Sequence, residues 1–102
     1  MPARNPTLLV VDVGNTSTSL GLYRGGRVRR QARFDTAETS PNHIRRVVRR
    51  LAKDAAWSGA MIATVVPARG PEWVKALKHL VAGPIGLLDH RSQLGLPISY
   101  PK

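Results

Sequence analysis

Residues 8–34 read LLVVDVGNTSTSLGLYRGGRVRRQARF, and their patterning decides the fold. The run 8–13 is apolar and β-branched apart from Asp12, as expected of a strand buried on both faces. It breaks at once into Gly14, Asn15 and Thr16, residue types that serve tight turns. In 17–23, Leu20 and Leu22 fall on one face of a second strand, with small residues opposite. Gly25 and Gly26 then form a two-residue hairpin signal. Along 27–34 the alternation puts Val28, Ala32 and Phe34 on one face and Arg27, Arg29, Gln31 and Arg33 on the other. Arg30 interrupts that alternation, which marks either a bulge or a side chain snorkelling at a sheet edge. Three antiparallel strands in a meander are the expectation.

Downstream, 39–56 reads TSPNHIRRVVRRLAKDAA. Ser40 can cap a helix whose first position is Pro41. Ile44, Val47, Val48, Leu51, Ala52 and Ala55 make its apolar stripe. A second buried strand is expected over 60–66, closed by Pro67. A second helix follows Gly70 and Pro71, with Glu72 in its first turn and Trp73, Val74, Leu77, Leu80 and Val81 as its buried side. Residues 85–88 read as a last, short buried strand. Trp57 is ambiguous, with sealing the end of the first helix as one role. The order β-β-β-α-β-α-β implies a mixed five-stranded sheet with flanking helices. That is the ribonuclease-H-like arrangement of some nucleases and of each half of the actin/sugar-kinase/Hsp70 superfamily, and the fold alone does not choose among them.

Composition bounds the function. The chain has 102 residues, room for one domain, and no cysteine, which excludes disulfides and thiolate metal sites. The N-terminal residues carry no apolar signal segment and no run approaches membrane-spanning length, so a cytoplasmic protein is expected. A formal charge of +10 favours polyanionic partners. The basic residues nevertheless cluster as Arg27, Arg29, Arg30 and Arg33 on one strand and Arg45, Arg46, Arg49, Arg50 and Lys53 on one helix, spacings typical of a solvated face. His43, His79 and His90 lack ligand spacing. Neither GxxxxGK nor GxGxxG occurs.

Asp12 therefore stands out as a carboxylate at the end of a buried strand, beside a glycine turn rich in short donors. Such a turn can serve as an anion nest, with Asp12 holding Mg²⁺ against the same phosphates. An ordinary turn is built from the same residues.

Two further stretches bear on that choice: ATVVPARGP at 63–71 and LGLPISYPK at 94–102. With the opening stretch they resemble, in order and spacing, the N-terminal half of the type III pantothenate kinases. That family shows a DxGNT phosphate loop, an S-x-V-P-like segment and a G-[LI]-P-I-x-Y stretch leading into G-A-D-R. The resemblance implies that Asp12, Gly14, Asn15 and Thr16 form the ATP-phosphate and Mg²⁺ loop, with Asp12 as the metal residue. It implies that Thr64, Val65, Val66 and Pro67 flank the cleft and that Tyr100 lines the pantothenate pocket. Ser17 stands where many relatives have Asn, and Ala63 where Ser is usual. Family members are more than twice as long, so the resemblance makes residues 1–102 an N-terminal domain, inactive alone. It puts the second domain and the catalytic-base aspartate beyond Lys102. It further implies ATP, Mg²⁺ and a monovalent cation (K⁺ or NH₄⁺) as cofactors, pantothenate as substrate, a homodimer, and no membrane partner. The alternative is a basic ribonuclease-H-like nucleic-acid-binding module, resting on the charge alone.

Overall fold

The computed structural model describes residues 6–53 and 56–88. Its strands are β1 (Leu8–Val13), β2 (Ser17–Arg24), β3 (Arg27–Asp35), β4 (Gly59–Thr64) and β5 (Ile85–Leu88), and its helices α1 (Pro41–Ala52) and α2 (Gly70–Leu77). One sheet orders the strands β3-β2-β1-β4-β5. β1 pairs antiparallel with β2, and β2 with β3, while β1–β4 and β4–β5 are parallel. The meander and the two crossovers are therefore as the sequence implies. Gly25 and Gly26 join β2 to β3 with φ of 62° and 83°, the pair of positive angles that a tight hairpin turn needs.

Each helix begins where its sequence says it should. Ser40 Oγ accepts from the His43 N–H at 3.1 Å, and Pro41 fills the first turn of α1. A 3-10 turn, Pro67–Arg69, leads into α2, and Arg69 pairs with Glu72 at 3.0 Å. Both helices pack on the same face of the sheet. There Leu9, Val11, Val13, Leu20, Leu22 and Ile62 meet Ile44, Val48, Trp73 and Leu77, all buried. Burial of this apolar surface is the main force holding the layers together.

Four expectations need correction. β1 and β4 are not buried on both faces: Val10 is 39% exposed and Met61 43%, because among the described residues both helices lie on one side. β4 also ends at Thr64, where that side chain closes a turn by donating to the Val66 carbonyl and accepting from its N–H. Val28 does not share a face with Ala32 and Phe34. A register shift between Leu22 and Tyr23 sets Val28 opposite Tyr23 and Arg30 opposite Leu22, so the bulge turns Val28 outward and Arg30 toward α1. α2 stops at Leu77; Val81 instead forms an isolated parallel bridge with Trp57, whose side chain is buried. Ala55 and the last fourteen residues fall outside the described ones.

Candidate functional site

β1 and β4 run parallel, so their carboxyl ends open at the same edge of the sheet. That edge is where ligands bind in open α/β sheets. It brings together two of the stretches singled out from sequence. The Val65 N–H donates to the Val13 carbonyl at 3.1 Å, tying the 64–67 segment to the residue before the glycine turn.

The turn itself is tight. Gly14 N–H donates to the Ser17 carbonyl at 2.9 Å, and a Cβ on Gly14 would lie 2.9 Å from that same oxygen. Glycine is required here by close approach, not by a positive φ. Asn15 and Thr16 form the exposed tip, and no described residue accepts from either N–H. Asp12 lies on the open face of the sheet, exposed, in register with Ser19 on β2 and Ala63 on β4. Among the described residues no hydrogen bond or ion pair engages its carboxylate.

Beneath the tip, Thr36 holds the turn from the helix side. Its N–H donates to the Thr16 carbonyl and its hydroxyl to the Gly14 carbonyl, both at 2.8 Å. A hydroxyl has one proton to give, so the 2.8 Å contact between Thr18 Oγ1 and Thr36 Oγ1 has Thr18 as donor. Thr39 Oγ1 donates to the Thr36 carbonyl at 2.6 Å and completes a buried threonine knot. Above it, Arg33 Nη2 reaches Ser17 Oγ at 3.0 Å, so one guanidinium stands on the open face beside the turn. Thr36 and Arg33 were not singled out as site residues by the sequence. Thr36 follows β3 without a motif of its own, and Arg33 is one of several arginines in alternation.

This arrangement offers an unengaged carboxylate, exposed N–H groups at a pinned turn, and one cation. Among the described residues no three His, Asp or Glu gather into a metal cage. The donor set nevertheless fits Mg²⁺, which takes hard oxygen ligands and is commonly held by one or two carboxylates plus substrate phosphates. Tyr100 and His90 lie outside the described residues.

The fold places the chain in the ribonuclease-H-like class. It is similar to a ROK family protein from Streptococcus pneumoniae TIGR4, solved in complex with sucrose, with a TM-score of 0.59 and 19% identity over 88% of this chain and 36% of that one. It is also similar to the ROK hexokinase of Thermus thermophilus, with a TM-score of 0.56 and 16% identity over 81% of this chain and 33% of that one. The chain thus spans about a third of the length of these structures, and at such identities the likeness concerns fold alone. No curated relative matches it in sequence. The sequence model of the type III pantothenate kinases matches residues 8–102, and the chain belongs to that family. The family is one of kinases, which use ATP. No helix among the described residues is long and apolar enough to cross a membrane.

Proposed function

We propose that this chain is the N-terminal domain of a pantothenate kinase, which transfers the γ-phosphoryl group of ATP to the pantothenate hydroxyl in the first step of coenzyme A synthesis. The hydroxyl oxygen bonds to phosphorus, the bond to the β-phosphate oxygen breaks, and ADP leaves. The observation that carries this reading is the family match, whose span includes the Asp12–Thr16 turn and the 64–67 segment stitched to it.

In this reading Gly14, Asn15 and Thr16 cradle the phosphates with backbone and side-chain donors. Asp12 holds Mg²⁺, whose chemistry when bound is to neutralise charge on the transferring phosphoryl group. Such catalysis is mostly positioning, which is what a turn pinned from below by Thr36 supplies. Tyr100 lines the pantothenate pocket, the proton goes to an aspartate beyond Lys102, and the enzyme is a cytoplasmic homodimer that uses a monovalent cation. No residue of this chain is assigned to that cation. The family match gives the nucleic-acid alternative no support.

The test is a coupled assay of the complete protein with ATP, Mg²⁺, K⁺ and pantothenate. Stoichiometric ADP and phosphopantothenate are expected. Phosphorylation of a hexose in place of pantothenate would retain the fold and remove the function.

A further inference from the structure

At the far edge of the sheet a second feature stands apart from the β1–β2 turn. β3 ends the sheet, and α1 runs back alongside it. At one end Phe34 meets His43 edge to face, ring centroids 4.5 Å apart; at the other Arg30 Nη1 donates to the Leu51 carbonyl at 3.4 Å. Between them lies a cavity of about 520 Å³. That volume is within the usual range of small-molecule sites.

Arg30, Arg50 and Lys53 line the trough where α1 ends; Phe34 and Val47 line it toward the start of the helix, where Arg33 is a further lining residue. His43 Nε2 is buried with no hydrogen-bond partner among the described residues. Among the described lining residues none is acidic. The two basic stretches, each unremarkable as a solvated face, thus converge on one concave place. A second copy of this chain, at +10, would bring like charge to it. A nucleic-acid strand would need cations spaced along its length, yet Arg46 and Arg49 of α1 do not line the trough.

We propose that this trough binds a small amphipathic organic anion, a phosphate monoester with a flat apolar body. The dianionic head sits on Arg30, Arg50 and Lys53, where several charge-assisted hydrogen bonds are available. The apolar body lies on Phe34 and Val47. The five consecutive residues that β3 contributes set a length of roughly 13 Å, enough for a bicyclic ring and its phosphate. The proposal is independent of which acceptor the kinase phosphorylates.

The probe is 1-naphthyl phosphate, titrated into this chain and followed by amide chemical shifts, with inorganic phosphate and 1-naphthol as half-ligands. Shifts are expected over 30–34 and 43–53, with affinity at least about tenfold above either half-ligand. Arg50→Glu should weaken binding at least about tenfold, and the charge-matched Arg46→Glu less than about threefold. Both residues are exposed, so the fold should survive either change. Shifts centred on the Asp12–Thr16 turn, inorganic phosphate binding as tightly, or equal losses in the two variants would each overturn the proposal. So would tighter binding of a single-stranded oligonucleotide that both variants weaken alike, which marks a diffuse polyanion surface.

Discussion

The Thr36 hydroxyl donates to the Gly14 carbonyl at 2.8 Å, so a residue after the last strand of the meander fixes the turn after its first strand. The contact joins positions 22 residues apart and sits on the buried side of the turn. Thr36→Val keeps the shape and removes the hydroxyl. The Gly14 carbonyl then loses its donor and the Thr18 hydroxyl its acceptor. A loss of about 1–3 kcal/mol is expected in urea unfolding, while Thr36→Ser should recover most of it. Equal midpoints for the Val and Thr forms would show that the contact contributes nothing.

Gly14→Ala tests the same turn from above. The added Cβ meets the Ser17 carbonyl oxygen at 2.9 Å, and that atom is backbone, so the turn itself must move. A destabilisation of about 1–3 kcal/mol should accompany amide shifts confined to the turn and its neighbours. An alanine variant with unchanged melting and spectrum would mean the close approach is not there.

Much of the fold was legible because local signals agreed with one another. Two adjacent glycines made a hairpin, Ser40 before Pro41 made a helix start, and the stripe from Ile44 to Ala52 chose the buried side. What the sequence left hidden depends on partners distant in the chain. A run such as LLVV reads alike whether one face or two are covered, and Val10 proves exposed. Val28 changed faces because the bulge lies opposite Leu22 and Tyr23, a pairing that alternation within one strand does not reveal. Of the candidate site, Asp12 and Gly14 announced themselves by residue type at a strand end. Thr36 did not, since a hydroxyl that caps a distant carbonyl looks like any loop threonine.

The α1 cap offers a check on the local account. Ser40→Ala removes the acceptor for the His43 N–H and should cost about 1 kcal/mol, with Ser40→Asp close to neutral. Thermal or urea melts of the three proteins suffice, and an alanine variant as stable as the parent would contradict it.

One-sided burial makes a contrasting pair. Leu77→Ala, at a fully buried position beneath the sheet, should lose about 2–5 kcal/mol. Val10→Thr, on the open face, should change the stability of this chain by less than about 0.5 kcal/mol. Comparable losses at both positions would mean that the outer face is packed.

The most direct test of the kinase reading is Asp12→Asn in the complete protein. The change keeps the side chain's size and removes the charge proposed to hold Mg²⁺ against the ATP phosphates. Asp12 is exposed, and among the described residues no hydrogen bond or ion pair engages its carboxylate, so the melting temperature should barely change. Steady-state phosphorylation of pantothenate should fall by about 10²–10³ in kcat, the cost of losing one such electrostatic element. Turnover near that of the parent protein would contradict the account, because asparagine serves an ordinary turn as well as aspartate does.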